Sequence, residues 1–132
     1  AITATVKGKR VVLVDDSVVR GTTSARIVKL LRDAGATEVH LRLSAPPFKY
    51  PCYFGTDIDS TENLLAHNHT VEEMRRIIGV DSLGFLNTAF LDKLADRDCG
   101  GFCTACFTGD YPVPPPVCTR KSRFETPITD KE

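Results

Sequence analysis

Two adjacent carboxylates lie between an apolar run and a loop rich in small hydroxyl side chains. The stretch VVLVDDSVVRGTTS covers residues 11–24, and Asp15 and Asp16 directly follow its four leading apolar residues. Neighbouring carboxylates repel each other, and burying them without compensation is costly. A hard divalent cation or a set of hydroxyls would compensate them, because carboxylate oxygens are preferred ligands of such cations. The pair therefore predicts a site for a polyhydroxyl ligand and a metal ion.

The residues after the acids are suited to hold a phosphate. Gly21 permits a tight turn, and the hydroxyl residues 22–24 lead into a predicted helix. A helix N-terminus offers free backbone N–H groups and the positive end of the helix dipole, so it favours anions. A sugar phosphate bridged by magnesium would satisfy both halves of the stretch. The alternative is a strand-end turn at the acid pair, followed by an ordinary N-cap at one of the three hydroxyl residues.

Three of the five cysteines are crowded into CGGFCTAC, residues 99–106. An odd, crowded set argues against a secreted disulfide framework and favours reduced or metal-bound thiols, hence a cytoplasmic protein. The spacing of Cys103 and Cys106 lets both thiolates reach one metal site, whether zinc or an iron–sulfur cluster. Redox use is a weaker alternative, because the motif does not begin a helix after a strand. Unligated cysteines that pack as small hydrophobic residues are the remaining alternative.

The elements around the acid pair are predicted to be a strand, a helix and a second strand. Residues 11–14 form a continuous apolar run that suits a parallel strand buried on both faces. Apolar residues then recur at helical spacing over residues 23–34, and Gly35 is placed to end that helix. Alternation in EVHLRLSAP, residues 38–46, predicts the second strand. Together these elements have the lengths of a βαβ crossover.

The remaining elements are shorter. Thr70 is predicted to cap a helix in VEEMRRIIG, and a brief helix is expected at residues 60–65. DSLGFL, residues 81–86, is a weaker third strand candidate, and TAFLDKLAD predicts a last helix. His67 and His69 lie in a polar turn and are expected to be solvated. The proline-rich YPVPPPV and the residues after it predict a loose tail.

The bulk composition excludes several classes of protein. The chain has 132 residues, 42% of them hydrophobic and 26% charged, as in a single globular domain. Lys and Arg total 17, as do Asp and Glu, so charge gives no argument for nucleic acid or an anionic membrane. No apolar run is long enough for a transmembrane helix or a signal peptide. With so few strands the parallel sheet is incomplete, and we expect the sequence to be the C-terminal part of a longer protein.

The pattern around the acid pair resembles the phosphoribosyl pyrophosphate (PRPP) signature of type I phosphoribosyltransferases. It is most similar to the glutamine PRPP amidotransferase family through GKRVVLVDDSVVRGTTS, PCYFGTDI, VEEMRRIIGVDSLGFL and CTACFTGDYP, and the likeness covers residues 7–112. The resemblance implies an α/β fold: a partial type I phosphoribosyltransferase fold, with an incomplete parallel sheet and flanking helices, plus a C-terminal helical, cysteine-rich segment. Residues 1–47 would carry the PRPP loop, residues 48–112 the helical and cysteine segment, and residues 113–132 a flexible tail.

The resemblance also implies the roles of the residues around the acid pair. Asp15 and Asp16 would bind the ribose hydroxyls and Mg²⁺. The loop around the 5′-phosphate would consist of Ser17, Val18, Val19, Arg20, Gly21, Thr22 and Thr23. For Arg20, a ligand role and an ordinary exposed loop position both stay open.

Many members of the resembled family hold a structural [4Fe–4S] cluster with four cysteines. Cys52 in PCYFG, together with Cys103 and Cys106, would supply three of them, and the fourth would come from upstream of this sequence. The ligand set in this chain would therefore be incomplete. Cys99 fits less well because of its spacing from Cys103, and Cys118 is most simply a free thiol.

Enzymes of the resembled family make 5-phosphoribosylamine from PRPP and glutamine in purine synthesis. Their glutaminase sequence and the first half of their transferase site are absent here, so this chain is expected to be inactive alone. Its partners would be PRPP, purine nucleotides, the rest of the amidotransferase chain and further copies in a homo-oligomer, but neither nucleic acid nor membrane. The alternatives are a PRPP- or nucleotide-binding regulatory module and a small metal-stabilised structural protein.

Overall fold

The computed structural model describes residues 3–56, 58, 60–94 and 101–115. Three parallel strands form one sheet in the order β1–β2–β3, with helices packed beside it. The elements in chain order are α1 Thr3–Val6, β1 Arg10–Asp15, α2 Thr22–Asp33, β2 Glu38–Leu43, α3 Leu65–Asn68, α4 Val71–Ile78, β3 Ser82–Phe85, α5 Leu91–Leu94 and α6 Ala105–Thr108. Single 3₁₀ turns cover Thr61–Asn63 and Thr88–Phe90. The predicted α/β class is confirmed.

The predicted βαβ crossover is present. Strands β1 and β2 pair in parallel along their whole lengths, and β3 pairs in parallel with β2, as expected for DSLGFL. Gly35 follows helix α2 with a φ of 93°, the left-handed conformation typical of a residue that ends a helix. The N-cap is Gly21 rather than a hydroxyl residue, and no side chain caps this helix. The reason is the left-handed backbone at this position, which favours glycine.

Strand β1 is buried on one face only, so the prediction of burial on both faces is wrong for this structure. Val11 and Leu13 pack against the core, whereas 62% of Val12 and 71% of Val14 is exposed. Strand β1 lies at an edge of the sheet. The core and helices α2 and α4 all lie on one face of that sheet. The apolar run 11–14 therefore does not reveal whether one face of the strand or both faces are covered.

Polar side chains connect the three strands on the open face of the sheet. Arg10 Nε donates to Glu38 Oε2 at 2.7 Å, and His40 Nε2 lies 2.9 Å from the same oxygen. His40 Nδ1 lies 2.9 Å from Ser82 Oγ on β3. The hydrogen bonds from Arg10 and His40 lower the pKa of Glu38. The open face therefore combines exposed valines with a polar row.

The core lies between the sheet and helices α2 and α4. Its members with at most 2% exposure include Val39 and Leu41 of β2, Val28 of α2, and Met74 and Ile78 of α4. Val39 and Leu41 are the alternating residues that predicted β2. Burying side chains of this size contributes about 1.5–3 kcal/mol each, so this layer stabilises the crossover.

The Asp81 carboxylate joins three elements of this layer. Its Oδ2 accepts a hydrogen bond from Arg32 Nη2 in the last turn of α2 at 2.6 Å, and from the Val39 amide at the start of β2 at 2.7 Å. The Val39 amide and Arg32 lower the pKa of Asp81. The residue just before β3 thus fixes the end of the crossover helix to the central strand.

Helix α4 begins where the sequence predicted. The Thr70 hydroxyl accepts from the Glu73 amide at 3.3 Å, and the Glu73 carboxylate accepts from the Thr70 amide at 2.8 Å, which completes a capping box. The helix predicted for residues 60–65 is wrong in its bounds. Thr61–Asn63 is a 3₁₀ turn, and α-helical structure starts only at Leu65.

Some predictions concern residues outside the described part of the chain. These are the end of the TAFLDKLAD helix beyond α5, Cys99, Cys118 and the tail from residue 116. Helices α1 and α6 were not predicted. Where the chain is described, none of its helices is long and apolar enough to cross a bilayer.

Candidate functional site

The acid pair and the residues after it surround one cavity. Its volume is about 570 Å³, and we call it the loop cavity. Its lining residues are Asp15, Asp16, Ser17, Val18, Val19, Arg20, Gly21, Thr22, Thr23 and Ser24. The structure therefore brings together all the residues that the sequence predicted for this site.

The carboxylates lie where strand β1 ends. Asp15 Oδ1 accepts from the Asp16 amide at 3.0 Å, and Asp16 Oδ1 accepts from the Ser17 amide at 2.6 Å. The Ser44 amide donates to the Asp15 carbonyl at 3.0 Å, and the Ala45 amide donates to the Asp16 carbonyl at 2.9 Å. The chain that leaves β2 thus holds the acid-bearing turn from the side. This fixes the carboxylates at the carboxyl edge of the sheet, where open α/β sheets bind ligands.

Apolar side chains hold residues 17–23, which we call the 17–23 loop, on the side that faces the core. Val18 is 3% exposed and belongs to the core, so only its backbone is available to a ligand. Gly21 is buried with a φ of 78°, and a Cβ there would lie 2.7 Å from Leu65 Cδ2. The Leu65 amide donates to the Val19 carbonyl at 2.8 Å. Helix α3 therefore packs directly against the underside of the loop.

Helix α2 begins at the loop cavity. Its first residues, Thr22 and Thr23, expose their side chains, whereas Ser24 is 3% exposed. The first N–H groups of an α-helix have no partner within the helix, and the helix dipole places positive charge there. Arg20 is exposed and also lines a neighbouring cavity of about 270 Å³ beside α3. The hydroxyls of Thr22 and Thr23, the first amides of α2 and the Arg20 guanidinium therefore all border the loop cavity.

A second cavity gathers the predicted cysteine ligands. Cys52, Cys103 and Cys106 all line this cavity of about 220 Å³, which we call the thiol cavity, and all three are free thiols. Its other lining residues are Phe54, Gly55, Thr56, Ala105 and Tyr111. The thiols border a space rather than a single point. Within the described ranges, no three Cys, His, Asp or Glu side chains are arranged to hold one metal ion.

The three thiols differ in their surroundings. Burial opposes ionisation of Cys52, but hydrogen bonds from the backbone of Phe54 and Thr56 outweigh it and lower the pKa of this thiol. The Thr56 amide lies 3.4 Å from Cys52 Sγ. Burial, together with repulsion from Cys52, raises the pKa of Cys106 to about 11. Amide donors aimed at a sulfur favour its thiolate, the form that binds metals.

Aromatic contacts close the thiol cavity by joining segments that are distant in sequence. The rings of Phe48 and Phe107 lie 4.8 Å apart between centroids, and those of Tyr53 and Tyr111 lie 5.2 Å apart. The Tyr111 hydroxyl donates to the Pro51 carbonyl at 2.8 Å. Helix α6, which contains Cys106, belongs to one of the two segments that these contacts join. Its four residues carry no helical periodicity, so the sequence alone could not predict it.

His67 is a residue whose contact the sequence did not predict. It is exposed, as expected, but its Nδ1 lies 2.8 Å from the Lys49 carbonyl. The ring also meets that of Tyr50 edge-on, with 6.3 Å between centroids. No local signal could reveal this contact, because it joins α3 to a segment that comes before it by 18 positions.

Comparison with known proteins finds relatives that match most of this chain. No protein-family model matches the chain. Residues of the chain are 54% identical over 118 positions to the amidophosphoribosyltransferase of Bacillus subtilis, covering 86% of this chain and 25% of that protein. They are 56% identical over 109 positions to chloroplastic amidophosphoribosyltransferase 1 of Arabidopsis thaliana, covering 83% of this chain and 19% of that protein. The chain thus spans a quarter or less of these curated relatives.

Solved structures give the same result for the fold. The glutamine PRPP amidotransferase from B. subtilis, complexed with ADP and GMP, superposes with a TM-score of 0.74 at 54% identity, covering 85% of this chain and 26% of that one. A structure described as the allosteric regulatory enzyme of purine biosynthesis superposes with a TM-score of 0.78 at 51% identity, covering 90% and 26%. The chain is therefore homologous, in sequence and in fold, to about a quarter of an amidophosphoribosyltransferase.

Proposed function

We propose that this chain carries the ribose-phosphate and magnesium site of an amidophosphoribosyltransferase. The whole enzyme would replace the pyrophosphate of PRPP with ammonia taken from glutamine, giving 5-phosphoribosylamine for purine synthesis. The observation that carries the proposal is the loop cavity, in which two carboxylates, a glycine turn and a helix N-terminus face one space. Since the chain spans about a quarter of its relatives, we expect it to have no glutamine-dependent turnover alone.

The loop cavity would bind the ribose 5-phosphate end of PRPP. Amides of the 17–23 loop and the hydroxyls of Thr22 and Thr23 would donate to the 5′-phosphate, whose negative charge the α2 dipole stabilises. Asp15 and Asp16 would accept hydrogen bonds from the ribose hydroxyls. Arg20, at the mouth of the cavity, is proposed as a further phosphate contact. Held at both ends, the sugar would present its anomeric carbon in one orientation.

The acid pair also has the chemistry of a magnesium site. Carboxylate oxygens are preferred ligands of Mg²⁺, which usually binds through one or two carboxylates plus substrate oxygens and water. Asp15 and Asp16 would provide the protein share of such a site. Bound there, the ion would neutralise negative charge on the ribose and pyrophosphate oxygens.

Calorimetry with ribose 5-phosphate and Mg²⁺ tests this proposal. Wild-type chain should bind weakly and only with magnesium, and Asp15→Asn/Asp16→Asn should abolish the magnesium-dependent binding while helix content stays unchanged. Asp33→Asn, which removes an exposed carboxylate at the other end of α2, is the matched control and should bind normally. Unchanged binding by the double variant would show that the acids have another role.

We further propose that the thiol cavity is part of a [4Fe–4S] site. Cys52, Cys103 and Cys106 would hold the cluster, and a fourth ligand would be needed from elsewhere. Three thiols around a space of about 220 Å³, rather than around one point, suit a multi-iron cluster better than a single zinc ion. When bound, the cluster would cross-link the segments that the aromatic contacts already join.

Anaerobic reconstitution with iron and sulfide tests the cysteine proposal. We expect either no cluster or a labile one, because this chain supplies three matched ligands. A stable [4Fe–4S] spectrum at one cluster per chain that Cys99→Ser leaves unaffected would contradict the incomplete ligand set. Stoichiometric zinc in the purified protein would contradict the preference for a cluster.

A nucleotide-binding regulatory module is the second candidate. The B. subtilis relative was solved in complex with ADP and GMP, which motivates this candidate. A 5′-nucleotide presents the same ribose phosphate to the loop cavity. Two results together would favour this alternative. The chain would bind GMP tightly, and it would form no phosphoribosylamine when combined with the rest of an amidophosphoribosyltransferase.

A further inference from the structure

A continuous series of contacts joins the thiol cavity to the 17–23 loop. The Cys106 carbonyl accepts from the Lys49 amide at 2.9 Å, and the Lys49 carbonyl lies 2.8 Å from His67 Nδ1. His67 belongs to helix α3, and at the start of that helix the Leu65 amide donates to the Val19 carbonyl at 2.8 Å. We call this series, from Cys106 through Lys49, His67 and Leu65 to Val19, the α3 bridge.

We propose that the α3 bridge positions the 17–23 loop for phosphate, with His67 as its positioning residue, so that the geometry of the thiol cavity is transmitted to the loop. This inference rests on the proposed ribose-phosphate function of the loop. Neither His67 nor Lys49 lines the loop cavity. Any effect that they have on phosphate binding must therefore reach the ligand through other residues.

The short length of α3 makes its outside contacts decisive. The helix has four residues, and isolated helices of that length are unstable because nucleation is unfavourable. Its position therefore depends on what holds it at each end. The His67 hydrogen bond holds its C-terminal half to residue 49, and the Leu65 amide holds its start to the loop.

The contact between Leu65 and Gly21 turns a shift of α3 into a shift of the loop. Because a Cβ on Gly21 would lie 2.7 Å from Leu65 Cδ2, the side chain rests against the glycine backbone. Gly21 is also the N-cap of α2, so it borders the amides that would receive the phosphate. Movement of Leu65 by a fraction of an ångström would change the cavity at that point.

The His67 contact is also close to the thiol-bearing segment. The Tyr50 amide donates to the same Cys106 carbonyl at 3.0 Å, and the Tyr50 ring meets His67 edge-on. Two successive residues thus fasten α6 to the segment that His67 contacts. By linkage, a ligand in either cavity that shifts the α3 bridge changes affinity in the other by the same factor.

Binding of ribose 5-phosphate with Mg²⁺ to three variants tests the proposal. His67→Ala should weaken binding about fivefold, the effect of one ordinary hydrogen bond. His67→Asn places an amide donor near Nδ1 and should restore affinity to within about twofold of wild type. His40→Ala removes two imidazole contacts on the open face of the sheet and should leave affinity unchanged. Rescue by asparagine separates positioning from a general loss of stability.

The ¹⁵N amide resonance of Gly21 provides a measurement independent of ligand. It should shift in His67→Ala and in Leu65→Ala, but not in His40→Ala. If His67→Ala binds as tightly as wild type while Asp15→Asn/Asp16→Asn does not bind, the inference is wrong and the proposed function stands. If wild type does not bind ribose 5-phosphate, the proposed function fails, and an unshifted Gly21 resonance in both α3 variants would overturn the inference separately.

Discussion

The loop cavity is lined by one continuous segment, residues 15–24, whereas the thiol cavity is assembled from residues 52–56 and 103–111. The first follows from a strand that ends, a glycine that turns the chain and a helix that begins. The second depends on aromatic pairs and one tyrosine hydrogen bond between segments that are distant in sequence. The loop cavity therefore depends on distant segments only through a few supporting contacts, such as that of Leu65, whereas the thiol cavity depends on every contact that joins its two segments.

The largest effect should come from Gly21→Ala, which alters the turn that forms the loop cavity. The substitution forces a side chain into a left-handed backbone, which costs about 1–2 kcal/mol, and it drives the Cβ against Leu65. We expect the free energy of unfolding to fall by at least about 2 kcal/mol. Ribose 5-phosphate binding should be lost. Urea denaturation and calorimetry measure the two effects.

Gly8→Ala is the matched control for that prediction. Gly8 has a φ of 72°, close to the 78° of Gly21, but nothing in the described part of the chain lies within 4 Å of the added Cβ. The free energy of unfolding of Gly8→Ala should fall only by the backbone contribution, about 1–2 kcal/mol. This variant should bind ribose 5-phosphate normally. Equal losses in the two variants would mean that the Leu65 contact contributes nothing.

A smaller effect is expected when the thiol cavity is disturbed at Gly109. A Cβ there would lie 3.1 Å from Tyr50 Cζ, so Gly109→Ala should loosen the thiol cavity and speed alkylation of Cys106. Gly101 shares the positive φ, but no atom of the residues that the structure describes lies within 4 Å of an added Cβ, so Gly101→Ala should leave the alkylation rate unchanged. Ribose 5-phosphate binding should weaken by no more than it does in His67→Ala. A larger loss would show that the two cavities are less separate than their construction indicates.

The smallest effect concerns the order in which the metal-free thiols react. The pKa of Cys52 is lowered and that of Cys106 is raised to about 11, so iodoacetamide should modify Cys52 before Cys106 near neutral pH. The folded state favours the neutral thiol of Cys106, so that contribution to stability is present below its ordinary pKa of 9.0 and is lost as pH rises towards 11. Peptide mass spectrometry gives the order. Faster modification of Cys106 would contradict it.

Local signals in the sequence predicted much of the structure. The alternating residues of β2, the Thr70 cap of α4 and the glycine after α2 each act within a few positions, so their pattern is visible in the chain. The same holds for the loop cavity, whose members are consecutive. In the thiol cavity, the spacing of Cys103 and Cys106 predicted a shared site of one of several kinds. Cys52 was assigned to that site only through resemblance to a family.

Several features that the sequence did not predict involve contacts between distant segments. Helix α6 exists where residues 103–111 pack on residues 48–56, and His67 gains its partner only when α3 lies beside Lys49. The exposed face of β1 was missed for a related reason. Whether Val12 and Val14 are covered depends on other elements and not on the strand itself.

The Asp81 carboxylate has a consequence for the order of folding. Strands β1 and β2 with helix α2 form a contiguous unit, but the carboxylate that ties Arg32 to the Val39 amide arrives only with the residues that enter β3. We therefore expect the crossover to form early and loosely, and to become rigid in a later step. In native-state hydrogen exchange, the Val39 amide should be among the slowest to exchange, and Asp81→Asn should speed it more than the amides of α6.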